Sequence, residues 1–212
     1  ERTKIKVTRE QEIGQALKQI GGIERKNVDL PNLGKYCTVH IIRNQDELKK
    51  ATNKQFYVDD FFSIYKKYGK NETLALNIKS DGLSKPLKEK LFKYDINNYF
   101  VFDMSVPDML QYHKQDLIFF TRHSDVEPIP CLLKESSGVW LDEFFSNWIT
   151  EEVLKNYHKE KKRVCIVSPE LHGRDFQNEW VKYKHIFQNN PQIKLIMCTD
   201  YPDKARTFFE QN

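Results

Sequence analysis

The sequence predicts an α/β fold and, within that class, a single (β/α)8 barrel of the TIM type. Three observations predict it. Six short apolar runs recur from residue 73 onward, each too short for most helices and nearly continuous, as strands buried on both faces of a parallel sheet must be. The stretches between them carry helical periodicity and helix start signals. No Gly/Ser linker or low-complexity segment interrupts the 212 residues, so one domain over 1–212 is expected.

The elements follow in order. "KIKVT" (4–8) reads as a strand, and "EQEIGQALKQI" sets Ile13, Ala16, Leu17 and Ile20 on one helical face. "NVDL" (27–30) and "CTVHII" (37–42) read as strands, and "DDFFSIYKKYG" (59–69) as a helix ending at Gly69. The six runs are "TLALNIK" (73–79), "NYFVFDMS" (98–105), "DLIFFTRHSD" (116–125), "GVWLDEF" (138–144), "RVCIVSPE" (163–170) and "IKLIMCTDYP" (193–202). Between them, Ser84 with Pro86 and Ser105 with Pro107 read as capped helix starts. Thr150 followed by Glu151 and Glu152 opens another helix. Phe176, Trp180, Tyr183 and Phe187 share a helical face, and "PDKARTFF" forms a last helix. Residues 125–137, with Pro128 and Pro130, read as a loop. Strands 4–8 and 27–30 with the six runs make eight, and eight right-handed β-α units close into a barrel. Residues 36–43 are then expected as a small two-stranded extension. An open doubly wound sheet is the alternative, without the G-x-G-x-x-G or Walker loop of its nucleotide-binding versions.

Composition narrows the function. Hydrophobic residues make up 39% of the chain, with 14 Phe, 10 Tyr and 3 Trp, enough for a packed core. A net charge of +4 on a chain that is 30% charged describes a mixed surface. It lacks the basic stripe of a nucleic-acid binder, so no nucleic-acid partner is expected. Cys37, Cys131, Cys165 and Cys198 have neither C-x-x-C nor zinc-site spacing, which suits reduced thiols and a cytoplasmic location. No apolar stretch reaches the ~18 residues of a membrane span.

In either architecture the functional surface lies at the C-terminal ends of the strands. The sequence puts there Thr8 and Arg9, Asp29, His40, Asn77 and Lys79, Asp103, Arg122 and His123, Asp142, Ser168 and Glu170, and Thr199 and Asp200. Lys79, Arg122 and His40 facing several carboxylates suit an anionic ligand with a divalent metal. The loop "SPELHGRDF" (168–176) alternates Glu170, His172 and Arg174. That pattern suits phosphate or sugar-hydroxyl recognition, or a loop that bonds to itself.

These strand ends also carry a resemblance. "LALNIKSDGL", "YFVFDMS", "GVWLDEF" and "IMCTDYPDKARTFF" resemble the glycerophosphodiester phosphodiesterase family and its phosphatidylinositol-phospholipase-C-like barrel relatives, over residues 73–209. The closing T-D-x-P before an amphipathic helix is typical of that family's last β-α unit. The resemblance implies a TIM-type barrel, a small phosphorylated ligand, and Mg²⁺ or Ca²⁺. It implies roles one position at a time. Thr8 and Arg9 stand where the family has a catalytic His and a phosphate-holding Arg. Asn27 and Asp29 stand for the two metal ligands of Glu-x-Asp. His40 stands for the acid–base His of a His-Asp pair, with Ile41 in place of the Asp. Asn77 and Lys79 stand for Glu-x-Lys, a metal ligand and a phosphate contact. With Arg122, Glu170 and His172 added from the strand ends and the loop at 168–176, the expected set is His40 as the catalytic group, Arg9, Lys79, Arg122, Glu170 and His172 on substrate, and Asp29, Asn27 and Asn77 toward metal. Two metal carboxylates are replaced by amides and one histidine is missing, which degrades the metal and acid–base sites. The expected function is a phosphodiesterase-type barrel recognising a phosphodiester or phosphorylated polyol. The alternatives are a catalytically inactive pseudoenzyme kept as a binding module, and an unrelated enzyme using the carboxylates at 103, 142, 170 and 200.

Overall fold

Strands of four to six consecutive buried residues organise the chain, because a segment apolar on both sides must be covered on both sides. The computed structural model describes residues 4–8, 27–30, 36–42, 56–68 and 73–210. The chain falls into two compact units, one of Glu1–Arg25 with Lys35–Phe119 and one of Lys26–Gly34 with Phe120–Asn212. The helix expected at residues 10–20 lies outside the described residues.

The first unit holds a sheet of β1 (Lys4–Thr8), β3 (Tyr36–Ile42), β4 (Phe56–Tyr57), β5 (Thr73–Ile78) and β6 (Tyr99–Phe102), in the order β4-β1-β3-β5-β6. Strands β3, β5 and β6 are parallel, with His40 opposite Asn77 and Asn77 opposite Phe102. Strand β1 is antiparallel to both β3 and β4. Residues 36–42 therefore lie inside the sheet, between β1 and β5, and not in a side extension. The apolar pattern of β1 is the same read in either direction, so the sequence did not reveal its reversal. Helices α1 (Val58–Tyr68), α2 (Ser84–Lys93) and α3 (Val106–Lys114) follow β4, β5 and β6. Ser105 caps α3, its Oγ accepting the Asp108 N–H at 3.3 Å. Ser84 is not a cap: the helix begins on it and Leu83 holds the cap position without a side-chain bond. Asp59 in the first turn of α1 ties that helix to α2 and its end, accepting from Lys90, from Lys93 at 3.0 Å and from the Tyr94 hydroxyl at 3.0 Å.

The second unit holds β2 (Asn27–Leu30), β7 (Phe120–Ser124), β8 (Gly138–Asp142), β9 (Arg163–Val167) and β10 (Leu195–Cys198), in the order β2-β10-β9-β8-β7. Strands β7 to β10 are parallel and β2 runs antiparallel to β10. Helices α4 (Glu151–Lys159), α5 (Gln177–Asn189) and α6 (Pro202–Glu210) complete it. Val139, Leu141, Leu154, Val164, Ile166, Trp180, Tyr183, Leu195 and Met197 are buried in one apolar cluster. Residues 125–137 form the expected loop, and Thr150 caps α4, accepting the Val153 N–H at 3.4 Å. No helix of the described residues is long and apolar enough to cross a membrane.

Two predictions follow from this packing. A Cβ on Gly138 would lie 2.5 Å from the Arg163 carbonyl oxygen and 2.5 Å from the Phe120 ring. The carbonyl belongs to the neighbouring strand and cannot retreat without breaking the ladder. Gly138→Ala should therefore lower stability by about 2 kcal/mol in urea titration. Burial opposes ionisation of Asp59, but the bonds from Lys90, Lys93 and Tyr94 outweigh it and hold the carboxyl at about 2. A depressed folded pKa gives stability that is present above the ordinary carboxylate value and lost as pH falls through the folded one. Asp59→Asn should cost about 1 kcal/mol at neutral pH after solvent screening, with the difference closing in acid melts between about pH 4 and pH 2.

Candidate functional site

In the first unit the parallel strands β3, β5 and β6 end at one edge. The strand ends supply Asn77, the last ladder residue before Ile78, then Lys79, and Asp103 directly after β6. Asn77 is buried, and its Oδ1 accepts no hydrogen bond among the described residues. The backbone of His40 lies in register with Asn77 on the adjacent strand. Lys79 forms an ion pair with Asp103 while its side chain stays 40% exposed. Asp103 has φ of 70°, a left-handed conformation that costs a side-chain-bearing residue energy and turns the chain sharply at the edge. The two loops are joined further by the Ser105 hydroxyl donating to Asp81 at 3.0 Å and the Gly82 N–H donating to Asp108 at 2.9 Å. This edge thus carries a partly open ammonium and, two residues earlier in the chain, a buried amide oxygen that accepts no hydrogen bond among the described residues.

In the second unit β7 to β10 end at one edge that is dense in polar groups. Asp142, buried at the end of β8, is paired with His172 Nε2, which lies on the 3-10 turn Pro169–His172 after β9. Gly173 ends that turn at φ of 70°, where glycine is at home. The Phe144 ring packs 4.6 Å from the His172 ring, and Trp148 Nε1 donates to the Asp142 carbonyl at 2.9 Å. Glu170 accepts from the hydroxyls of Ser168 and Thr199 and from the Asp200 N–H at 3.1 Å. Arg174 donates to the Glu143 carbonyl at 2.7 Å and to the Asn147 side chain. Arg122 forms an ion pair with Glu127. His123 Nδ1 and the Tyr157 hydroxyl are hydrogen-bonded at 2.6 Å, and the His123 ring lies 4.2 Å from that of Trp148, tilted by 48°. Burial pushes its pKa down against a bond to the Pro128 backbone, and burial pushes Tyr157 up to about 12.

The residues expected from sequence are distributed between the two units. His40, Asn77 and Lys79 share the edge of β3 and β5. Asn27 lies level with Cys198 at the C-terminal end of β10, whereas Asp29 lies level with Ile196, inside the ladder. Arg9 lies outside the described residues. Thr8 is level with Thr38 near the start of β3, because β1 is antiparallel. Glu170 and His172 sit beyond the end of β9, whereas Arg122 lies level with Trp140 inside the β7–β8 ladder; Glu170 and Arg122 are held in the bonds just described. Sequence reading missed Glu143, which is fully buried. Its Oε1 accepts the Ile149 N–H at 2.8 Å and its Oε2 the Tyr183 hydroxyl at 3.0 Å. The only signal was an acid set within the aromatic run "WLDEFF".

No family model matches the chain, and no curated protein matches it. Among solved structures, the fold is similar to the crystal structure of glycerophosphodiester phosphodiesterase from Agrobacterium tumefaciens str. C58, at 8% identity and a TM-score of 0.48. The match covers 73% of this chain and 62% of that one, so this chain spans less than two thirds of that protein's length. A likeness at this level assigns neither activity nor residues.

Burial pushes the Glu143 carboxyl above its ordinary pKa, with Glu179 adding to the effect and the Ile149 and Tyr183 donors and Lys182 opposing it. The folded state then binds that proton more tightly than the unfolded chain. The stability involved is complete below the ordinary carboxylate pKa and declines as pH rises through the raised one. Glu143→Gln keeps an acceptor for Ile149 and removes the titration. Thermal melts should show the wild type losing ground to this variant as pH rises above the ordinary carboxylate value. A difference independent of pH would mean that Glu143 ionises as it does in water.

Proposed function

We propose that the chain is a phosphodiesterase-type domain that recognises a phosphodiester or phosphorylated polyol, on an α/β scaffold of parallel strands joined by helices. The observation that carries it is the corner formed by Asn77 and Lys79. A buried amide oxygen without a donor costs about 1–3 kcal/mol, a cost that a ligand hydroxyl removes. The exposed ammonium two residues on offers a charge-assisted bond to a phosphate oxygen, in competition with Asp103. Hydroxyl and phosphate together describe a phosphorylated polyol. The buried Cys165 and Cys198 suit a reducing, cytoplasmic setting.

The residues do not fit a resident Mg²⁺ or Ca²⁺ at this corner. Asn77 brings an oxygen but no charge, and the nearby Asp103 carboxylate is already engaged by an ammonium. Among the described residues no group of three His, Cys, Asp or Glu is placed to hold a metal. That substitution of amide for carboxylate favours a second reading, a pseudoenzyme that binds its ligand without metal-dependent turnover.

Calorimetry with glycerol phosphate tests the proposal. Lys79→Ala should weaken binding about tenfold, the scale of one charge-assisted hydrogen bond. Asp103→Asn should tighten it by removing the competing anion, and added Mg²⁺ or chelator should change little. Binding indifferent to both substitutions would remove Lys79 from the site.

A further inference from the structure

We propose that His172, positioned by Asp142, is a general base at the C-terminal edge of the second sheet and supports metal-independent phosphodiester hydrolysis. The substrate class rests on the function proposed above, while the dyad rests on geometry of its own.

Asp142 and His172 follow adjacent parallel strands, β8 and β9, and meet through Oδ1 and Nε2. A carboxylate can only accept, so Nε2 carries the proton and the Nδ1 lone pair is left to act. No hydrogen bond to Nδ1 is formed among the described residues. The His172 side chain remains 20% exposed, whereas Asp142 is buried. A small molecule can therefore reach the imidazole but not the group that orients it. The Phe144 ring against one side of the imidazole and the Trp148 bond to the Asp142 backbone hold the pair in place.

The neighbours leave this role to His172. Glu170 has its carboxylate filled by Ser168, Thr199 and Asp200, and Arg174 is held by Glu143 and Asn147. His123, on the next strand but one, is the instructive contrast. One of its nitrogens takes the Tyr157 hydroxyl, its ring bonds to the Pro128 backbone, and burial disfavours its charged form. It is a satisfied packing histidine. His172 has a carboxylate on one nitrogen and, among the described residues, no hydrogen bond on the other, the arrangement in which a carboxylate orients a general base.

The step balances without a cofactor. His172 Nδ1 takes a proton from water as the water oxygen forms a bond to phosphorus. The P–O bond to the leaving group breaks, and its electron pair stays on the departing oxygen. Solvent protonates that oxygen, and the imidazolium returns its proton to solvent. One water is consumed, a phosphomonoester and an alcohol are released, and nothing is oxidised or reduced.

The test is hydrolysis of bis(p-nitrophenyl) phosphate in excess EDTA by the full chain and its His172→Gln, Asp142→Asn and His185→Ala variants, with circular dichroism to confirm folding. EDTA-resistant turnover is expected. It should fall at least a hundredfold in His172→Gln, the scale of a lost general base, and hold in His185→Ala, a surface control. Asp142→Asn should lower kcat about tenfold or more while leaving KM nearly unchanged. Nitrogen-15 NMR of the imidazoles gives a readout that needs no turnover: His172 should be the Nε2–H tautomer in the wild type and lose that preference in Asp142→Asn. Turnover that survives His172→Gln, an absence of turnover in EDTA, or an Nδ1–H tautomer each overturns the proposal. Glycerol phosphate binding by calorimetry reports separately on the function above, so binding without turnover sinks the dyad alone.

Discussion

Burial of the parallel strands on both faces is the constraint on which the rest depends. Leu74, Ala75, Leu76, Phe100 and Val101 in the first unit, and Val139, Leu141, Val164 and Ile166 in the second, have almost no contact with solvent. A backbone so enclosed must bond within its ladder, since an unpaired buried amide costs about as much as a lost hydrogen bond. The helices have to lead the chain from the end of one parallel strand to the start of the next. All the turning, and nearly all the polar chemistry, is thereby pushed to the strand ends.

The edges meet that demand mostly with bonds between loops. Asp125 accepts the N–H groups of Phe144, Phe145 and Ser146, at 3.1, 2.8 and 2.8 Å, and so fixes the loop after β8 to the loop after β7. Arg174 closes the same loop from the other side, and Glu170 bonds the ends of β9 and β10. In the first unit Lys79–Asp103 and Asp81–Ser105 do the same for β5 and β6. Most charged groups at these edges are therefore scaffolding, which explains how strand ends can be rich in acids and bases without each being part of a site.

The sequence made this legible only in part. Strands β5, β6, β8, β9 and β10 stood out because a buried parallel strand is a continuous apolar run, visible without its neighbours. The direction of β1 and β2 was not visible, since a two-residue period is identical forwards and backwards, and only the hydrogen-bond partner decides it. Ser84 misled because a serine before an apolar period is as good a first helical residue as a cap, and the cap is settled by the backbone angles of Leu83. At the edges, residue types were legible but partners were not. His172 was a plausible ligand contact from its loop, yet Asp142 lies thirty residues earlier. Glu143 was overlooked because its role as a buried acceptor depends on Tyr183, on a different helix.

What separates scaffolding from a ligand site is the polar atom left over. Among the described residues, Asn77 Oδ1 at the first edge and His172 Nδ1 at the second are two of the atoms that take no hydrogen bond. Both are acceptors, and both are neutral. A metal cation would favour a charged acceptor, and a free anion would find at these atoms only lone pairs to repel it. A hydroxyl group or a water molecule suits each of them, because it brings the donor that the protein has not supplied. The same neutrality that makes the Asn77 amide a weak partner for a metal leaves it well matched to a hydroxyl donor.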